Sequence, residues 1–307
     1  MSQKTLRMLV GALVVLVVLW GGTVLLAHPD AAPAVPPQLA AFLDGVGSRD
    51  SLRALRVEGP DGVSLELAPA DGGWTVDGLP ADSGNVARFL DVLSEAHVAE
   101  LAARSTSNHA RMGVADGDTY TLAVEAGAYS GSILVGDQGT RYGTTYVRAP
   151  GHAEVYLVDG DLRTPARRDL DAWRSKRVLG LDTARVARID VTRNGEQYAV
   201  VRGDSTWTFA DGSATDPDEI RSLLGEYRNL QATGFVGATD SLATLPPGGS
   251  VVLRSADGVP LASMEVGSGT GERWARAEGD TVTYRLQSYR FDLALPPRSK
   301  LEAGGGD

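Results

Sequence analysis

His109 is the first residue to weigh, because Ser105, Thr106, Ser107 and Asn108 stand directly before it. An imidazole beside hydroxyls is the raw material of base-assisted nucleophilic attack. That chemistry also needs a carboxylate to orient the ring and donors for an oxyanion, and no neighbouring motif supplies either. The stretch therefore reads as a solvated loop. Two carboxylate pairs, Asp116-Gly-Asp118 and Asp159-Gly-Asp161, offer oxygen ligands of the kind calcium takes. Neither brings further ligands at a calcium-loop spacing, so each reads as a tight turn.

Other routes to catalysis close quickly. No Gly-x-Ser-x-Gly elbow, His-Glu-x-x-His pair, Gly-Lys-Ser/Thr phosphate loop or EF-hand loop is present. The four histidines (His28, His97, His109, His152) include no pair four apart on one helix, as zinc sites often use. With no cysteine, the chain has no disulfide, thiol nucleophile, Cys-ligated metal or lipoprotein acylation. Gly267-Ser-Gly-Thr-Gly271 resembles a nucleotide fingerprint, but a strand-like Trp274 stretch follows where that motif needs a helix, so it reads as a loop between strands. The chain is read as having no catalytic residue, no metal site and no cofactor.

Binding chemistry is easier to find. Arg163 to Arg193 holds nine Arg and Lys against four Asp, within a chain of net charge −10. Arg167, Arg168, Arg174, Lys176 and Arg177 are the candidate docking residues, for an acidic partner or for anionic lipid headgroups. A solvated connector between two modules accounts for the same residues without any partner. The acidic balance excludes nucleic acid as the main partner, since phosphate binding needs a concentrated positive surface. Trp74 and Trp207 could line a groove. Their equivalent places after a hairpin point instead to core positions under a helix.

The elements that must position these residues begin with Met8 to Ala27, an uncharged apolar run of 20 residues, long enough as a helix to span about 30 Å. Lys4 and Arg7 precede it and no basic residue follows until Arg49, which predicts residues 1–7 in the cytoplasm and the rest outside. A cleaved signal peptide ending near Ala32-Pro-Ala34 is the competing reading. Residues 28–50 form a Pro/Ala-rich linker, with a short helix over Gln38 to Val46.

Residues 51–162 and 186–297 then read as two copies of one module, joined by a basic connector over 163–185 and followed by a flexible tail over 298–307. Leu55 and Val57 alternate, Gly59-Pro-Asp-Gly62 turns, and Leu65 and Leu67 return as the second arm of a hairpin. Trp74 follows, and then Asp82 or Ser83 as the cap of a helix carrying Val86, Phe89, Leu90 and Leu93 on one face. The order repeats with Ile189 and Val191, Asn194-Gly195, Tyr198 to Val201, Trp207, and an Asp216-capped helix with Ile220, Leu223, Leu224 and Tyr227. Further strand pairs correspond, among them Tyr120 to Val124 with Val251 to Leu253, and Ile133 to Val135 with Met264 to Val266. Each module reads β-β-α-β-β-β-β, and Ala172 to Leu179 reads as a helical run. The predicted class is α+β: an N-terminal transmembrane helix followed by two repeated modules, each a mostly antiparallel sheet with one covering helix.

The N-terminal anchor, the paired hairpin-Trp-helix units and the central Trp173-Arg-Ser-Lys-Arg-Val-Leu179 together resemble the domain of unknown function 4340 family, over most of residues 50 to 295. Where that pattern carries a Tyr-Gly-Leu-Asp-like turn after the first helix, this chain has Arg111-Met-Gly-Val114. The resemblance implies a bacterial membrane protein, often encoded beside ABC-type transporter subunits, some linked to gliding motility. It implies an envelope accessory role and no reaction. The leading expectation is a single-pass, membrane-anchored extracytoplasmic scaffold or accessory subunit that acts by binding, with ABC-type transporter subunits as partners. The second is an extracytoplasmic protein binding a small ligand, itself unidentified, in a cleft between the modules; the third is a hydrolase without a recognisable signature.

Overall fold

The computed structural model describes Leu13, residues 35–47 and residues 51–304. The chain divides into two compact units, Met1–Trp173 and Arg174–Asp307.

In the first unit, helix α1 (Pro37–Gly47) buries Leu39, Phe42 and Val46, so this part of the expected linker belongs to a core. The hairpin of β1 (Leu52–Glu58) and β2 (Ser64–Ala70) sets Leu55 opposite Leu67 and Val57 opposite Leu65, which puts four apolar side chains on one face. Strands β3 (Gly73–Val76) and β4 (Leu79–Pro80) extend this edge. Helix α2 (Ser83–Glu95) starts where the Asp82 carboxylate accepts the Asn85 N–H at 2.7 Å. Its Val86, Phe89, Leu90 and Leu93 are buried, as the spacing requires. Strands β5 (His97–Ala103), β6 (Tyr120–Ala126), β7 (Tyr129–Gln138), β8 (Thr144–Arg148) and β9 (Val155–Asp159) complete an antiparallel sheet ordered β4-β3-β2-β1-β6-β7-β8-β9-β5.

The second unit follows the same plan. Strands β11 (Arg188–Arg193), β12 (Glu196–Arg202) and β13 (Trp207–Phe209) precede helix α3 (Pro217–Arg228), in which the Asp216 carboxylate accepts the N–H groups of Asp218 and Glu219. After β14 (Leu230–Gln231) come β15 (Gly234–Phe235), β16 (Pro247–Arg254), β17 (Pro260–Gly267), β18 (Arg273–Ala277) and β19 (Tyr284–Leu286). The sheet runs β13-β12-β11-β16-β17-β18-β19-β15, which matches the first unit position for position once β4 is set aside. The Asn194-Gly195 turn has positive φ at both residues, the conformation a two-residue hairpin loop demands.

A third component is common to both units: a strap that leaves the last central strand and returns to the start of the long helix. In the first, residues 163–173 make two short helical turns and the carbonyls of Ala172 and Trp173 accept from Asn85 and Asp82. In the second, the turns Ser288–Ala294 and Arg298–Leu301 end with the Leu301 carbonyl accepting the Asp216 N–H at 2.9 Å.

Several expectations are corrected here. Residues 8–27, read as a membrane helix, lie outside the described residues apart from Leu13, and among the described residues no helix is long and apolar enough to cross a membrane. The class with an N-terminal membrane helix is replaced by two mostly antiparallel sheets. Each module carries a strand with its Trp before the helix and a strand after it, so the plan is longer than β-β-α-β-β-β-β. The helical run expected over 172–179 ends at Trp173, because Arg177–Leu179 forms strand β10 and pairs with β14. Residues 298–301 are helical, and Leu301 is buried.

Candidate docking groove

The residues first weighed for chemistry make hydrogen bonds that hold loops. His109 is buried where two short 3-10 turns meet, and its Nε2 lies 2.9 Å from the Ala153 carbonyl oxygen, which makes that nitrogen the donor. Ser105 and Ser107 share a hydroxyl–hydroxyl bond of 2.9 Å between themselves. The ring thus ties the two 3-10 turns to the loop after β8.

Three of the four carboxylates in the Asp-Gly-Asp pairs are engaged within the fold. Asp116 accepts from Arg148, a fully buried side chain that also donates to the carbonyls of Val114 (2.9 Å) and His152 (3.0 Å). Asp159 pairs with His97 at 3.0 Å and with Arg141 at 3.4 Å. Asp161 accepts the Thr164 N–H at 3.0 Å and so begins the strap. Among the described residues no group of three or more His, Asp or Glu is arranged to hold a metal ion.

The predicted docking cations fall in two places. Arg167 and Arg168 lie on the strap of the first unit. Arg167 reaches Asp137 Oδ1 at 3.2 Å, as does Arg163 Nε, whose N–H is not aimed at the oxygen. The Arg167 guanidinium also sits 5.4 Å from the Tyr120 ring centroid. Arg168 lies 5.0 Å from the ring of Trp173, a fully buried side chain that in turn packs on Phe89 of α2 at 5.5 Å. Burial, and next the Arg88 guanidinium, pull Arg168 below the usual arginine range. Arginine starts so high that it stays charged at neutral pH.

These two side chains form one wall of a groove of about 260 Å³. Val57, Leu65, Tyr120 and Leu170 supply an apolar floor, and Val63 stands exposed on the rim. The groove's carboxylates are engaged locally: Asp61 accepts the Val63 N–H at 3.2 Å and Asp169 accepts the Ala172 N–H at 2.7 Å. An apolar floor beside two anchored guanidiniums can take an acidic segment that also carries an apolar side chain.

The other three cations lie in the second unit. Arg174 stacks on Phe235 at 3.5 Å, which commits it to packing. Lys176 is half-buried, and its carbonyl accepts the Ala232 N–H at 2.8 Å. Arg177 is exposed on β10. Trp74 and Trp207 are half-buried against the cores of their own units, and Arg202 lies 5.0 Å from the Trp207 ring.

Sequence reasoning missed the buried arginines. Arg148 and Arg273 are 1% and 6% exposed, yet an arginine in an alternating strand looks like any solvent-face residue. Glycine marks the surroundings of Arg148, and Gly267 holds the corresponding place on the second sheet. A Cβ at Gly136 would meet the Met112 carbonyl oxygen and Val114 Cγ1, and a Cβ at Gly267 would meet the Trp274 indole. Both glycines directly follow the last core residue of corresponding strands, Val135 of β7 and Val266 of β17. They leave room for what packs on the sheet face opposite the long helix.

The molecule so described is a duplicated antiparallel-sheet protein, each unit closed by a strap, with an apolar-floored groove lined by two arginines and two aspartates and no converging catalytic set among the described residues. Comparison with known families assigns residues 74–246, more than half of the chain, to the domain of unknown function DUF4340. The chain belongs to that family. No curated protein and no solved structure matches it.

Proposed function

We propose that the chain works by binding, as an accessory or scaffold subunit of a membrane complex, and that the groove beside Arg167 and Arg168 takes an acidic segment of a partner subunit. The partner class is an ABC-type transport system and the place is the extracytoplasmic side of the cytoplasmic membrane, the setting implied by the family resemblance. One observation carries the reading: two guanidiniums, fixed by Asp137 and by Trp173, stand over an apolar floor. Anchored arginines lose little rotamer freedom on binding, which favours them as contact residues.

Supporting this, the polar residues that resemble active-site groups are spent on holding loops. The experiment is affinity purification of the tagged full chain from detergent-solubilised membranes, with the Arg167→Glu/Arg168→Glu variant beside it. Co-elution of transporter subunits with the wild type and their loss from the variant is expected. Equal co-elution would remove the groove from the account, and recovery of the chain in the cytosolic fraction would remove the membrane setting.

A further inference from the structure

Among the described residues of the second unit, Arg273 is the one buried side chain with polar atoms that lack a partner. It is 6% exposed, and its Nε and Nη1 are buried without an acceptor among the described residues. The guanidinium lies 3.6 Å from the Phe291 ring centroid, and Arg193 lies 4.6 Å from the same centroid. Arg193 is satisfied, since it pairs with Asp292 at 2.7 Å and donates to the Leu295 carbonyl. Two positive charges thus share one ring while a single carboxylate, Asp292, answers them. A buried guanidinium with unmet donors is costly, and the usual remedies are a paired anion or a change of environment.

We infer that Arg273 anchors a binding site for a small oxyanion, a carboxylate or phosphate group, that completes the Arg193–Phe291–Arg273 cluster. Each of Nε and Nη1 is a charge-assisted donor that such a group can accept from, and the Phe291 ring lies against the guanidinium. The loop Gly267–Gly271 precedes β18 and is exposed at Gly269, Thr270 and Gly271. The Thr270 carbonyl accepts from Ser288 Oγ at 3.3 Å, so this loop touches the strap that carries Phe291. An anion at Arg273 would therefore tighten the strap of the second unit. The site is separate from the groove at Arg167 and stands or falls independently of it.

The test uses the full chain labelled with 15N-arginine, titrated with sodium phosphate and with sodium acetate against sodium chloride at matched ionic strength. The Arg273 Nε–Hε resonance, assigned by its absence from Arg273→Gln, is expected to shift saturably with at least one oxyanion and not with chloride. Tm should rise with the same anion, by about 3 kcal/mol of stabilisation at a hundredfold excess over Kd. A response to phosphate alone assigns a phosphate group, and a response to acetate alone assigns a carboxylate. Absence of a saturable shift in the wild type would overturn the inference, whether or not the variant folds. So would an equal rise in Tm for Arg273→Gln.

Discussion

The backbone N–H of Asp82 donates to the carbonyl of Trp173 at 2.8 Å, so the residue that caps α2 is itself held by the last residue of its unit. Asp216 and Leu301 repeat the relationship at 2.9 Å. A helix N-terminus carries four unsatisfied N–H groups, and the capping carboxylate satisfies one or two of them. Pinning the cap fixes where the helix begins and ties the strap to it. In the first unit this places Arg167 and Arg168 over the hairpin that floors the groove.

Removing either cap should loosen its own unit. Asp82→Ala and Asp216→Ala are each expected to cost about 1 kcal/mol. Hydrogen exchange checks this: amides over 83–95 should lose protection in the first variant and those over 217–228 in the second, without exchange of effects.

Trp173 acts through its packing. Its Nε1 is buried without an acceptor among the described residues, so Trp173→Phe removes no hydrogen bond, whereas Trp173→Ala empties a core site beside Phe89. The alanine variant is expected to lose roughly 3–5 kcal/mol and the phenylalanine variant much less, by urea denaturation. Equal losses would mean that the indole N–H matters after all.

Gly136 and Gly267 should reject even a methyl group. Gly136→Ala is expected to push the Met112–Val114 segment off the sheet, and Gly267→Ala to displace the Trp274 indole from the Leu245 carbonyl it reaches at 2.7 Å. Overpacking of this kind costs about 1–3 kcal/mol. Tryptophan fluorescence reports the second substitution directly, since exposure of Trp274 shifts emission to the red.

Alkali should find three tyrosines protected. Burial raises Tyr198 and Tyr227 well above the ordinary phenol, and burial, with Asp280 next, pushes Tyr284 up to about 12. Their hydroxyls donate to the carbonyls of Pro296 and Ala294 and to the Asp280 carboxylate. A raised folded pKa means that the contribution to stability is whole below the unfolded value near 10. It is lost as pH climbs through the folded value. Titration at 295 nm should show these three ionising only as the second unit opens.

Much of the repeated plan was legible because its parts have local causes. Alternation set the hairpins, Asp216-Pro217 and Asp82 marked helix starts, and the 0, 3, 4, 7 spacing marked buried helix faces. The straps were not legible. Arg163 to Trp173 makes only two four-residue turns, too short for a helical stripe, and its arginines suggested solvent. Leu301 stood alone in a polar tail, and its burial comes from packing into the core of the second unit, where its carbonyl also accepts the Asp216 N–H. The groove was half legible: Arg167 and Arg168 stood out by charge, but the floor comes from Val57 and Leu65, about a hundred residues earlier. Arg174 shared their composition and was drawn into packing by Phe235, a partner no spacing rule connects to it.

The most direct test of the account measures partner recovery by the full chain and by Arg167→Glu/Arg168→Glu, each purified from detergent-solubilised membranes at low and at high salt. The account predicts a partner that co-elutes with the wild type at low salt, weakens as salt screens the guanidiniums, and falls at least tenfold with the variant while its helical circular dichroism is unchanged. Undiminished recovery of the same partner by a folded variant would contradict it.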